Sequence, residues 1–269
     1  MAETEPKAAD LFRVGKLTEA IAAANVAVKA APADLGQRVL LAELLLFSGN
    51  LERADVILDA AGQIDPSAML VVAEFRQLLR AETARRQLFR DGRIPEFLGE
   101  PEPTEQASLA AFVALRAGDL AAAKAKADEA EILRPRVSGT EEGTAFDDFR
   151  DADDLFAGFI ETLTTTGKYY WIPVSRIESM LFHPPKRPRD LAWRRCSMSV
   201  ANGPDGDVYI PVNYFADAIT TDDAHRLGRV TSWSEDETGP VRGAGQRLFL
   251  VGEEATGIMN LKTLEFSAG

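Results

Sequence analysis

GNLERADVILDAAGQIDP, residues Gly49 to Pro66, decides how this chain is built. Gly49 is followed by Leu51, Ala54, Ala61 and Pro66, and the same ladder stands at Gly15, Leu17, Ala20, Ala27 and Pro32. A third copy runs through Gly118, Leu120, Ala123, Ala130 and Pro135. The first two copies lie 34 residues apart and the third follows after 69, close to two more periods. Each position has a mechanical meaning. Gly permits the tight turn that ends one helix. Leu, then Ala three and ten residues later, share one face of the next helix. Ala is small enough to let two helix axes approach, and Pro ends the helix. A helix–turn–helix unit of this period is the tetratricopeptide signature, and such units stack into an array with a groove that binds a peptide or helix. The plainer alternative is an ordinary helical bundle rich in Ala.

Outward from that stretch, helices are expected at about 8–14, 18–30, 34–48 and 51–64, then a long one from about Ser67 to Arg90. Leu40, Leu41, Leu44, Leu45 and Phe47 make the second hairpin the most apolar. The long helix carries Arg76, Arg80, Arg85, Arg86 and Arg90. The pairs Arg76/Arg80 and Arg86/Arg90 are four apart and so share a face. That stripe either grips a partner carboxylate or is a solvated face paired locally with Glu82 and Asp91. A connector follows at about 91–103, then a hairpin at about 104–116 and 119–132.

The composition changes near Pro135. SGTEEGTAFDDFRDADD (138–154) is acidic and reads as a linker or helix start, with a helix from about Asp151 to Thr164. Clustered carboxylates suit a hard cation, but the Asp-x-Asp-x-Asp-Gly calcium pattern is missing. Tyr169-Tyr170-Trp171-Ile172 reads as a strand, and Pro173 is expected to open a short helix running to Phe182. Strands are expected at about 192–200, 206–211, 227–233, 246–252 and 257–266, with a turn at Asn202-Gly203-Pro204-Asp205-Gly206. The expected fold class is therefore α+β. A tetratricopeptide-like array over 1–136 precedes a small, mostly antiparallel sheet or partial barrel with short helices over 137–269.

Net charge is −12, which repels phosphate and argues against a nucleic-acid partner. The lone Cys196 cannot form an intramolecular disulfide, and the polar, acidic start MAETEPKAAD has no apolar signal core. With no 18-residue apolar run, no membrane insertion is expected, and the cytoplasm is the expected location. Chemistry is sparse. His183 and His225 belong to no metal-ligand spacing, Gly243-Ala244-Gly245 lacks a P-loop's Lys-Ser/Thr, and no Gly-x-Ser-x-Gly elbow occurs. His183 has no recognisable nucleophile beside it. Cys196 follows Arg194 and Arg195, which could favour a thiolate, but a half-buried strand cysteine is the plainer reading. No catalytic, cofactor or metal residue is expected. Tyr169, Tyr170 and Trp171, with Arg76, Arg80, Arg86 and Arg90, are the expected partner contacts. For the three aromatics the alternative is a place in the core.

From Asp147 onward the chain resembles a known family. FDDFRDADDLF (146–156), GKYYWIPVSRI (167–177), RPRDLAWRRC (187–196) and DVYIPVNYF (207–215) together resemble the ImpE family, also called TagJ or SciE, accessory proteins of type VI secretion. Asn213 departs from the basic or apolar residue expected there. The resemblance implies a cytoplasmic, non-enzymatic partner of the contractile sheath. It implies binding to the N-terminal helix of the small sheath subunit, TssB, with a link to the sheath-disassembly AAA+ ATPase, ClpV. The competing reading is an enzyme that uses the acidic and aromatic part of the C-terminal half.

Overall fold

The computed structural model describes residues 6–64, 68–215 and 222–267. The repeated template forms three helical hairpins. α1 (Ala8–Arg13) pairs with α2 (Leu17–Ala30), α3 (Leu35–Phe47) with α4 (Leu51–Ile64), and α6 (Pro103–Arg116) with α7 (Leu120–Leu133). All three template glycines have left-handed φ, between +79° and +87°. The turn chemistry repeats with them: Lys16, Asn50 and Asp119 each donate a backbone N–H to the carbonyl five residues back, on Leu11, Leu45 and Ala114. This is a C-terminal cap that satisfies carbonyls the helix leaves open, and it demands a residue without Cβ strain at the glycine. Leu17, Ala20, Leu51, Ala54, Ala61, Ala123 and Ala130 are buried at the pair contacts. Pro66 lies outside the described residues.

α5 (Met69–Asp91) stands between the second and third hairpins and packs against α4, α6, β4 and β5. It ends at Gly92, again left-handed. Its buried residues include Phe75, Leu78, Leu79, Ala84 and Leu88.

The C-terminal half is a sheet-based layer. β1 (Gly139–Glu141), β2 (Thr144–Phe146), β4 (Phe159–Leu163), β5 (Tyr169–Pro173), β6 (Ile177–Phe182), β7 (Trp193–Val200), β8 (Gly206–Pro211) and β13 (Thr263–Phe266) form one eight-stranded sheet. Its order is β2-β1-β13-β6-β7-β8-β4-β5, with antiparallel pairs throughout. A second sheet joins β3 (Phe149–Asp151), β11 (Leu248–Val251) and β12 (Glu254–Gly257), and β9 (Thr231–Trp233) pairs with β10 (Gly243–Gly245). A single helical turn, α8 (Asp223–Arg226), precedes β9. The α+β class and the antiparallel pairing stand as expected, with more strands than the turn signals suggested.

Four expectations are corrected. Residues 151–164 are not a helix: β3 closes at Asp151, and β4 occupies Phe159–Leu163. The acidic stretch 138–154 is not a solvated linker, since it forms β1 to β3 and buries Asp148, Asp151 and Asp153. Pro173 opens only a 3-10 turn at Val174–Arg176, and Ile177–Phe182 is strand. The expected strand 227–233 shrinks to Thr231–Trp233, and 257–266 splits between β12 and β13.

Two hydrophobic cores lie on the two faces of the large sheet. Phe159 and Leu163 of β4, with Tyr169 and Trp171 of β5, pack into the helices, whereas Ile160 and Ile172 face the second core. That is the period-two alternation of a strand buried on both sides. The helical core is continuous with the sheet. Phe75 of α5 meets Trp193 edge-on at 5.9 Å, Phe112 of α6 meets Trp171 at 5.6 Å, and Trp171 stacks on Phe159 at 3.9 Å. α3 packs on the 3-10 turn Pro188–Leu191. The faces of α5 and α6 that carry Phe75 and Phe112 are therefore covered by the chain's own sheet, and α3 meets the 3-10 turn.

Candidate partner-binding site

The junction between α5 and the sheet holds the most unusual chemistry in the molecule. β4 reads Phe-Ile-Glu-Thr-Leu, and all five positions are buried, so Glu161 is a carboxylate inside an apolar strand. A buried charge must be paired or it neutralises. Arg85 of α5 reaches it through Nε at 2.8 Å and Nη2 at 3.0 Å, and Arg247, between β10 and β11, reaches its other side. Arg247 also donates to Asp151 of β3 at 2.5 Å, and its guanidinium lies over Phe156 and Tyr214. Tyr214 Oη donates to Asp151 at 2.8 Å, and Tyr169 Oη donates to Glu161 at 2.5 Å. Trp171 Nε1 in turn donates to Tyr169 Oη at 2.6 Å. Burial alone pushes the Glu161 carboxyl up, but the facing charges of Arg85 and Arg247 overcome it and hold it below its ordinary value. For Asp151 burial wins over Arg247, and its pKa is raised. Burial and the neighbouring Asp151 charge push Asp153 up to about 7. The network ties a helix to three strands of two sheets, β3, β4 and β5, and holds no exposed reacting group.

The expected contact residues separate. Tyr169 and Trp171 are only 2% and 0% exposed, within this network and the core. Tyr170 is half-buried on the opposite face, with Lys168 Nζ 6.0 Å from its ring. Arg76 is bidentate to Asp55 of α4 at 2.7 and 3.0 Å and also reaches Asp59. Exposed Arg80 lies beside the Gly167 turn that precedes Lys168. Arg86 is held by Glu82 and by the Gly49 carbonyl, both at 2.9 Å, and Arg90 lies over Phe215 at 5.7 Å. The stripe is thus two groups: Arg76 and Arg80 toward α4 and the 167 turn, Arg86 and Arg90 toward the sheet junction.

Two cavities flank Phe215. One, of about 270 Å³, is polar and is lined by Arg85, Arg86, Arg90, Trp193, His225 and Arg226. The other, of about 300 Å³, is apolar and is lined by Phe89, Phe112, Phe156, Phe215, Trp233 and Ala244. Sequence reading missed this second cavity, because its walls come from α5, α6, the β3–β4 link and β9–β10. It also missed Glu161 and Arg247. An acid inside the apolar run FIETL was the available signal, since it requires a buried cation elsewhere in the chain.

The remaining chemical candidates resolve plainly. His183 does have a hydroxyl beside it: Ser197 Oγ is 2.8 Å from His183 Nε2. Ser197 Oγ donates to Asp207 at 2.6 Å, so its hydrogen is directed away from the imidazole, which is the wrong polarity for a general base. Cys196 is fully buried, and burial pushes its thiol up to about 12, against the activating reading of Arg194 and Arg195. Among the described residues no cluster of three or more His, Cys, Asp or Glu is placed to hold a metal, and no helix is long and apolar enough to cross a membrane.

Residues 143–265 match the family model described as ImpE protein. Over 259 residues, 96% of this chain and 90% of its counterpart, the chain is 32% identical to the type VI secretion system accessory component TagJ of Pseudomonas aeruginosa. The chain belongs to the ImpE family. The crystal structure of protein VPA1032 from Vibrio parahaemolyticus, 27% identical, superposes with a TM-score of 0.90 over 97% of each chain. The ImpE match spans the β half from just before β2 into β13 and so includes Asp151, Glu161 and Arg247 of the buried network. Asn213, expected from the resemblance to be basic or apolar, bridges elements here. Its Nδ2 donates to the Arg226 carbonyl at 2.8 Å, and its own carbonyl accepts from Arg85 at 3.0 Å.

Proposed function

We propose that this ImpE-family chain is a type VI secretion accessory protein that works in the cytoplasm as a non-enzymatic adaptor. In this reading it binds the N-terminal helix of the small, TssB-like sheath subunit and links the sheath to its ClpV-type disassembly ATPase. The observation that carries the reading is the 32% identity to TagJ across nearly the whole of both chains. The hairpins support it, because helices joined by tight, capped turns make a stiff surface on which another helix packs. The division expected from sequence, helical through 136 and sheet-based from 137, is kept as the working organisation, with a shared core at the junction. Since α5 and α6 meet the sheet and α3 meets the 3-10 turn, the partner helix docks on a surface outside that junction. Arg80 and Tyr170 reach such a surface; Tyr169, Trp171, Arg76, Arg86 and Arg90 contribute by holding the frame.

The test is co-elution and calorimetry of the purified protein with the small sheath subunit, intact and without its first helix. The expected result is a complex that disappears with that helix. Absence of any complex at micromolar concentrations overturns the sheath assignment. Competition between the sheath subunit and the ATPase separates one shared surface from two.

A further inference from the structure

We infer that the aromatic cavity between α5, α6 and the β9–β10 hairpin is an anchor site for a protein segment that presents one large apolar side chain flanked by carboxylates. Protein interiors are close-packed, and an open, aromatic-walled recess of about 300 Å³ is the usual form of a binding pocket rather than of a packing defect. Its walls are aromatic rings packed on one another. Phe89 stacks on Phe215 at 4.1 Å and meets Phe112 edge-on at 5.3 Å, and Phe156 packs 5.5 Å from Phe112. Trp233 stands at the mouth, 37% exposed, against 0% for Trp171 and 2% for Trp193.

The rim supplies the sign of the partner. Arg116, at the end of α6, and Arg242, before β10, both line the mouth. Arg116 is exposed and steadied by donating from Nη1 to the Leu88 carbonyl at 3.1 Å. Neither guanidinium forms an ion pair among the described residues. The cavity's acid, Asp153, is turned into the floor, where its two oxygens accept from the Leu155 and Gly243 amides at 2.9 and 2.8 Å. In the adjoining loop, Asp236 accepts from Thr238 of the same loop. In a chain of net charge −12, two arginines without an ion-pair partner among the described residues, beside an apolar pocket, select an acidic, apolar segment. The inference rests on the adaptor reading only in taking the occupant to be a protein; it does not depend on which protein.

The test uses the full chain and two designed helices that share one central Phe, flanked four residues to either side by Glu in one and Lys in the other. Acrylamide quenches only solvent-reached tryptophan, so Trp233 reports the mouth while Trp171 and Trp193 stay silent. The Glu helix is expected to bind and shield Trp233, with the Lys helix weaker. Arg116→Glu/Arg242→Glu is expected to reverse the preference, changing the ratio on the order of tenfold or more. Ala244→Leu is expected to abolish shielding by filling the cavity. Should that variant misfold, the surface pair still decides. Equal binding of both helices, no shielding by either, or an unchanged preference in the charge-reversed variant overturns the inference. So does concentration-dependent shielding of Trp233 without any helix, which assigns the mouth to a second copy of this chain. Failure of the wild type to bind the sheath subunit removes the adaptor reading alone and leaves the helix-binding result to decide the pocket.

Discussion

Replacing Arg247 with methionine is the most informative single change in this molecule. The side chain is fully buried and bridges two fully buried carboxylates, Asp151 and Glu161. Methionine keeps much of the length and none of the charge. Glu161 retains Arg85, and Asp151 retains Tyr214 as a donor, so one carboxylate is left without a cation. Breaking a buried pair by removing one partner costs about 3–5 kcal/mol, a large share of the roughly 5–15 kcal/mol that holds a typical protein folded. For a chain of this size that is a fall in Tm of roughly 10 °C. The loss also depends on pH. An orphaned buried carboxylate has a raised folded pKa, so the folded state binds its proton more tightly than the unfolded chain does. The penalty is therefore small below about pH 4 and grows as pH rises toward neutrality. Denaturant unfolding followed by circular dichroism at pH 5 and pH 8 measures both effects. Adding Asp151→Asn to the variant removes the orphan and is expected to recover part of the loss. An Arg247→Met protein within about 1 kcal/mol of the wild type at pH 8 refutes the reasoning, because the network then holds nothing that packing does not.

Glu43 of α3 is buried beside the Pro188–Leu191 turn, and burial pushes its carboxyl from 4.5 up to about 7, against the charges of Arg189 and Arg187. The folded state keeps that proton longer, so stability is full below pH 4.5 and falls as pH rises to 7. Glu43→Gln is expected to flatten the decline by up to roughly 3 kcal/mol between about pH 5 and 8, and parallel unfolding profiles would count against it. Cys196, buried and pushed up to about 12, is expected to resist iodoacetamide at about pH 8 in the folded protein and to react fully in denaturant; prompt native labelling would restore the reactive-thiol reading.

The helical half was legible because its information is local. Each glycine turn, capping pattern and small contact residue lies within one template, and three copies reinforce each other. The β half was legible in β5, β7 and β8, where strands meet recognisable turns. It failed at residues 151–164 for a physical reason. Phe156, Phe159, Ile160 and Leu163 have the spacing of a helical face, and β4 is buried on both sides, so it lacks the polar alternation that marks a half-exposed strand. What makes it a strand is pairing with Tyr169–Pro173 and Tyr209, together with Glu161's need for Arg247, 86 residues away. The aromatic triplet divided for the same reason. Alternation sends Tyr169 and Trp171 inward and Tyr170 to the other face, whereas composition treats the three alike.

The seam between helices and sheet bears on how this protein can be dissected. Asp223 accepts from the Leu17 amide at 2.8 Å and the Thr18 amide at 3.4 Å, at the start of α2, and Arg229 holds the carbonyls at the end of α1, so the first hairpin is fastened from far downstream. A bait cut at residue 136 would lose those fastenings and lay bare Phe75, Leu78 and Phe112. Negative results from such halves in two-hybrid screens would report collapse of the bait, and only intact chains with point changes can locate where a partner sits.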